Sequence, residues 1–357
     1  MAAIDLDTLR RTVQHNCDVS DARHARDASI CTYLLRMRAQ YRWAHGRALA
    51  DPLPGDEVGA WIEAQERRWA RLAGKDYRPL PLGGPVDPFD IETANRRLAA
   101  TGLAYAAGVG VGGKPSFLLA ELDAAEAREG LRILRLGREH ARDVAGAPAM
   151  TRSGYVFLRR EQIRAMVWDE LGLAGRRPAA TPMARAAAAA GSGDALATLA
   201  EAQEELALLH ELGEAAAGRL LGPGWEAHLA ALAGTPAEHV LRAVRDLLAD
   251  CLRVLPVLIG DRRPLHLHLY AARLEGPRRT LFARFEAAYR RWLADPGDWR
   301  PLHEAAAAGR AHWLATARGL LAEPASALAS HLRGPAALAA LRLPAPQPSA
   351  PPPPTSL

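Results

Sequence analysis

Hydrophobic residues in the first hundred positions recur every three or four places, then give way to alternation and short apolar runs; from residue 195 the helical period returns. Leu6, Leu9 and Val13 follow Asp5, a side chain suited to capping a short helix. Ser20 can cap a longer one, in which Ile30, Leu34, Met37 and Tyr41 share a face. Val58, Ile62 and Trp69 mark a third helix, and Asp90 opens a fourth through Ile91, Ala94 and Leu98. Between them, PLPLGGPVDPFD (79–90) is too rich in Pro and Gly for regular structure.

Strand signals fill 103–158. LAYAAGVGV and SFLLAEL flank Gly112-Gly113-Lys114-Pro115, which reads as a hairpin, and LRILRL (131–136) and YVFL (155–158) add two strands. Residues 1–174 are therefore expected to form an α+β domain, with helices around a small antiparallel sheet and a closing helix from Arg159 to Leu171. The stretch 175–194 is low in complexity, lacks an apolar period and reads as a linker. Residues 195–340 read as an all-α domain with helices near 194–220, 235–255, 262–274, 278–293 and 299–321. Thr235-Pro236-Ala237-Glu238 is a capping box with proline at the first helical position. Residues 341–357 carry PAPQPSAPPPPTSL and read as a disordered proline-rich tail, a segment able to bind a protein partner. The fold class expected is mainly α.

Composition narrows the setting. A length of 357 residues is about two ordinary domains, and 49% hydrophobic with 24% charged residues suffices for real cores. No apolar run approaches the ~20 residues that span a bilayer, and the charged N-terminus has no apolar signal segment, so no membrane partner is expected. Three scattered cysteines (Cys17, Cys31, Cys251) argue against a disulfide framework and for the cytoplasm. A pI of 9.4 invites nucleic acid, yet the formal charge is only +5 and the arginines are interleaved with acids, which disfavours that partner. Lys75 and Lys114 are the only lysines, and Arg with abundant Ala, Gly and Pro fits a GC-rich bacterial genome.

Four constellations could carry chemistry. Gly108 to Lys114 matches the spacing of a phosphate loop, but Pro115 stands where a metal-binding Ser or Thr is needed, so a Gly-rich turn explains it better. His15, Cys17, Asp21 and His24 crowd one decapeptide with types that ligate metals or move protons. The structural alternative is a polar junction between two helices. His210 and Glu214 lie one helical turn apart, with Glu211 and Gly213 between them. Such a pair can share a divalent metal or exchange a proton, or can simply be a hydrogen-bonded core histidine. His210 falls on the ridge Leu199, Gln203, Leu206, Gly213 and Ala217, where the glycine implies a close neighbour. Finally, Arg138, Arg142 and Arg159 cluster with Glu139, Asp143 and Glu161, as an anionic-ligand cradle or as ion pairs tying sheet to helix.

HNCDVSDARHA followed by CTYLLRMRAQYRW, GKPSFLLAEL followed by GREHARD, and later HELGE and RAVRDLLAD together resemble a bacterial family catalogued only as a domain of unknown function with N-terminal and C-terminal parts. The resemblance supports a domain cut near residue 180 and implies no activity, cofactor or catalytic residue. The leading expectation is an enzyme or a cofactor- or metal-handling protein. Its catalytic candidates are His15, Cys17, Asp21, His24, His210, Glu211 and Glu214; its metal candidates are His24, His210 and Glu214; its cofactor-binding candidates are Arg138, Arg142 and Arg159. A non-catalytic scaffold or regulator is the alternative, and nucleic-acid binding the third.

Overall fold

The computed structural model describes residues 4–174 and 181–346. The chain forms two compact units, 1–211 and 212–357.

In the first unit, helices α1 (Leu6–His24), α2 (Ile30–Ala44) and α3 (Gly55–Ala70) precede a two-residue pairing of β1 (Leu80–Pro81) with β2 (Pro85–Val86) and helix α4 (Ile91–Leu98). Five strands follow: β3 (Leu103–Val109), β4 (Pro115–Arg128), β5 (Leu131–Arg142), β6 (Ala149–Arg152) and β7 (Tyr155–Arg159). Helices α5 (Arg160–Ala174) and α6 (Pro182–Ala189) come next, then the first part of α7 (Ala195–Leu221).

The sheet order is β3-β4-β5-β7-β6, and the expectation of a purely antiparallel sheet needs correcting: β7 runs parallel to β5. The chain passes β5, lays β6 at the edge and returns as β7 between the two. Every residue of Tyr155–Arg159 is buried, as befits a strand covered on both faces. The predicted hairpin forms around a one-turn helix (Val111–Gly113), where Gly112 and Gly113 take positive φ.

Asp5 caps α1 as expected, but the helix does not stop at a junction. It runs through Ser20, which is buried and donates to the Pro115 carbonyl; Ser29 caps α2 instead. Leu9, Val13 and Cys17 of α1 pack into one core with Leu98 of α4 and Tyr105, Phe117 and Phe157 of the sheet. Side-chain amides secure the surrounding backbone. Asn16 exchanges two hydrogen bonds with the Arg78 main chain, Gln14 two with Arg142, and Asn95 two with Tyr105 on edge strand β3. An amide suits this task because it offers a donor and an acceptor side by side.

Of the stretch expected to be a linker, 175–180 lies outside the described residues. Residues 182–189 form α6, capped by Thr181 with proline in its first turn and packed on α5 through this alanine-rich segment.

In the second unit, the rest of α7 is joined by α8 (Pro223–Ala231), α9 (Pro236–Ala249), α10 (Leu255–Gly260), α11 (Pro264–Arg273), α12 (Gly276–Leu281), α13 (Ala283–Ala294), α14 (Arg300–Leu321), α15 (Ala325–His331) and α16 (Gly334–Leu341). One expected helix, 235–255, is α9 with a π turn over Asp250–Val254 before α10. Pro256 supplies the reason: it lacks an N–H for the regular ladder, and a wider turn accommodates its ring. α14 packs on α9 and α13, burying Trp313 against Phe282. Of the expected proline-rich tail, 347–357 lies outside the described residues.

Candidate functional site

The polar residues of α1 are committed one by one. Cys17 is fully buried and donates its thiol proton to the Phe117 carbonyl; burial, with Asp143 and Asp21 nearby, pushes its pKa well up, so it presents no thiolate nucleophile. Asp18 pairs with Arg68. Asp21 accepts from the Lys114 ammonium at 2.9 Å and from the Val144 N–H. His24 turns to Asp27 at 3.0 Å. Among the described residues, no three of His15, Cys17, Asp21 and His24 converge as metal ligands.

Lys114 explains the near-miss phosphate loop. Its ammonium lies between Asp21 and Asp143, at 2.9 and 3.7 Å, and Asp143 also accepts from Ser116 at 2.5 Å. Burial raises the Asp21 pKa to about 7, against the pull of Lys114. It works the same way on Asp143, where Lys114, Arg159 and Ser116 win and lower it. Beside this triad, Arg159 makes two hydrogen bonds to Glu139, at 2.7 and 2.9 Å, and Arg142 a third at 3.2 Å. Burial opposes the Glu139 charge, and the two guanidiniums more than offset it. Arg159 is therefore the buried strut of an ion network rather than part of a ligand cradle.

Arg142 of that network and the exposed Arg138 both line a solvent-open cleft of about 1630 Å³ within the first unit. Helical and strand periods aim one stripe from each element at it. α1 gives Arg11 and His15, α2 gives Arg38 and Arg42, and α5 gives Arg164 and Trp168, each pair four residues apart. Along β5, Arg138, His140 and Arg142 alternate onto one face. Ten arginines line the cleft against four carboxylates. Arg10, Arg38, Arg47, Arg138 and Arg164 are exposed and form no ion pair among the described residues. Others are spent on the scaffold: Arg42 holds the carbonyls of Ala48 and Asp51, and Arg142 lies over the Trp43 ring at 5.2 Å. Trp61 and Trp168 are half-buried at the walls.

Four titratable groups of the cleft, His15, Asp18, Glu161 and Asp169, are displaced from their ordinary values. Burial and the positive fields of Arg78 and Arg68 lower His15, so its imidazole is neutral at pH 7. Burial raises Glu161, helped by the charge of Glu139, and burial also raises Asp18 and Asp169.

On α7, Leu199, Gln203, Leu206, Gly213 and Ala217 are buried as the ridge implies, while His210 is half-buried. Glu211 accepts from Thr151 at 2.7 Å. In the second unit, Glu214 and Asp246 bring carboxylate oxygens within 4.8 Å of each other, and Arg245 bonds both, at 2.6 and 3.5 Å. A metal there would have to displace a guanidinium. The close neighbour implied by Gly213 is the Ala249 carbonyl, just before the π turn.

Sequence reasoning found Arg138, Arg142 and His15 but passed over Arg38, Arg164 and Trp168. Their i,i+4 spacing was a legible signal; that three helices and a strand would turn these stripes toward one space was not.

Residues 8–159 match the N-terminal domain, and residues 164–333 the C-terminal domain, of a family of unknown function (DUF6866), to which the chain belongs. No curated protein and no solved structure matches the chain. No helix among the described residues is long and apolar enough to cross a membrane.

Proposed function

We propose that the first unit is a binding module for an anionic, phosphate- or carboxylate-bearing ligand, held in the arginine-lined cleft. The observation that carries this is the excess of ten arginines over four carboxylates in one open cleft, with five of the arginines exposed and without an ion-pair partner among the described residues. A guanidinium fork matches carboxylate and phosphate oxygens in pairs, so such a surface favours anions over neutral ligands. The buried network gives the site its rigidity, since Glu139 and Gln40 hold Arg142, and Arg142 covers Trp43. Inorganic pyrophosphate at millimolar concentration is expected to raise the melting temperature of the wild-type protein, by mass action on the folded state. The rise should disappear in an Arg138→Ala/Arg164→Ala variant. No shift in the wild type, or an equal shift in the variant, would overturn the assignment.

One further observation favours catalysis on the bound anion. His15, with its pKa lowered, and Glu161, with its pKa raised, line one cleft, and their environments move their proton affinities in opposite directions, a pattern suited to an acid–base pair. Phosphate release from a panel of nucleotides and phosphate esters tests this. Turnover abolished by His15→Gln with pyrophosphate binding intact supports an enzyme; no turnover of any member sinks it.

A further inference from the structure

The cleft is too large, and too mixed in chemistry, for a small anion. Its volume of about 1630 Å³ exceeds the ~1,000 Å³ at the upper end of small-molecule pockets. Phosphate or carboxylate capture needs cations alone, whereas this lining also presents flat and apolar surface. Trp61 and Trp168 are half-buried at the walls, and Trp43 forms a ready-made stack with Arg142. Leu35 and Leu173, 66% and 51% exposed, are among the few large hydrophobics that the fold leaves in water, and both line this cleft. A ligand that satisfies both kinds of surface repeats an anionic group and a flat apolar group along its length.

Resting on the anion-binding reading above, we infer that the cleft takes single-stranded nucleic acid, with phosphates on Arg38, Arg47, Arg138 and Arg164 and bases against the indoles and leucines. A single strand is specified because bases reach a side chain face-on only when they are unpaired. A positively charged groove with interleaved aromatic rings is the general means of holding such strands without reading their sequence. The modest overall charge of +5 is no obstacle. The charge is unevenly distributed, and the cleft lining carries ten arginines against four carboxylates.

The test is a titration of a fluorescein-labelled 12-nucleotide RNA of mixed sequence with the full chain, followed by anisotropy and tryptophan fluorescence. Binding with quenching is expected. It should weaken roughly 20- to 50-fold between 50 and 200 mM salt, as three or four phosphate contacts require on a single strand. Arg138→Ala/Arg164→Ala, two exposed positions that leave the buried network intact, should weaken binding tenfold or more, and Arg290→Ala, at an exposed position of the second unit, should leave it unchanged. Absence of binding at 50 mM salt overturns the inference. So does an unchanged double variant, or competition by heparin or by a duplex as effective as that by unlabelled RNA. If pyrophosphate still stabilises the protein in those cases, the anion-binding module stands and only its ligand class is wrong. If pyrophosphate and heparin also fail, both readings fall together.

Discussion

Each unit contains glycines set where a Cβ would collide with a neighbour, and the neighbours differ in kind. In residues 1–211, Gly146 makes room for the Arg159 guanidinium, Gly137 for the Asp123 carboxylate and Gly108 for the Arg152 side chain. In residues 212–357, Gly213 admits the Ala249 carbonyl, while a Cβ at Gly309 would lie 2.6 Å from Cys251 Sγ and 2.8 Å from Phe282 Cζ. The first unit is built around placed charges; the second is built around helices brought into close contact. Burying charge is an inefficient route to stability, because desolvation offsets most of the attraction. Its return is position: a salt-bridged guanidinium has one orientation. The unit that carries the arginine cleft follows this plan at Asp18, Asp21, Glu139 and Asp143, all buried in ion pairs.

Removing one charge should give the largest effect. Arg159→Met leaves the Glu139 carboxylate buried with Arg142 as its remaining cation, and should destabilise the protein by about 3–5 kcal/mol in denaturant unfolding. Arg278→Met in the second unit should cost less, because Asp250 keeps the Tyr270 hydroxyl at 3.1 Å and Arg278 itself is partly exposed. Equal losses would erase the contrast between the units.

The glycines come next. Gly213→Ala forces a methyl group against the main chain, which cannot turn aside, and should cost roughly 1–3 kcal/mol. Gly146→Ala displaces a guanidinium and should also lower Arg142 order in the cleft lining, read as weaker pyrophosphate binding. If Gly213→Ala weakens pyrophosphate binding as much as Gly146→Ala does, the division of labour is wrong.

A pH series separates the two kinds of buried acid. Asp21, raised from 3.8 to about 7, holds its proton more tightly folded than unfolded. The stability this confers is present below 3.8 and is lost as pH rises toward 7. Glu139 and Asp143, both lowered, behave the opposite way: their contribution is present above the ordinary carboxyl range and is lost on acidification. Asp21→Asn should therefore gain on wild type between pH 5 and 8, by roughly 3 °C or more in melting temperature. A constant difference across that range would show that Asp21 does not titrate there.

The smallest effect is local. Thr235→Ala removes the hydroxyl that accepts from the Glu238 N–H at the start of α9 and should cost about 1 kcal/mol, with pyrophosphate binding untouched.

The helices were legible where period and caps agreed. Asp90 caps α4, Thr235 caps α9, and the long apolar ridge of α7 runs as its spacing implies. The hairpin at Gly112-Gly113 was legible because only a turn uses two adjacent residues at positive φ so readily. Ser20 misled because a cap and a buried helical hydroxyl look alike until its acceptor, the Pro115 carbonyl, is known. His15, Cys17, Asp21 and His24 looked like one site because they are close along the chain. Cys17, Asp21 and His24 do share a helix face and only His15 lies off it, but each found its own partner on another segment: the cleft for His15, then Phe117, Lys114 and Asp27.

By itself the sequence determined the periods, the caps, the turn and the supply of arginines, because each depends on neighbours within about one turn or one hairpin. Only the tertiary structure decided which charges cancel and which remain. Lys114 meets Asp21 across 93 positions, and Arg142 meets Gln40 across 102, so no local pattern records either pairing. The cleft is what remains once those distant pairs have formed.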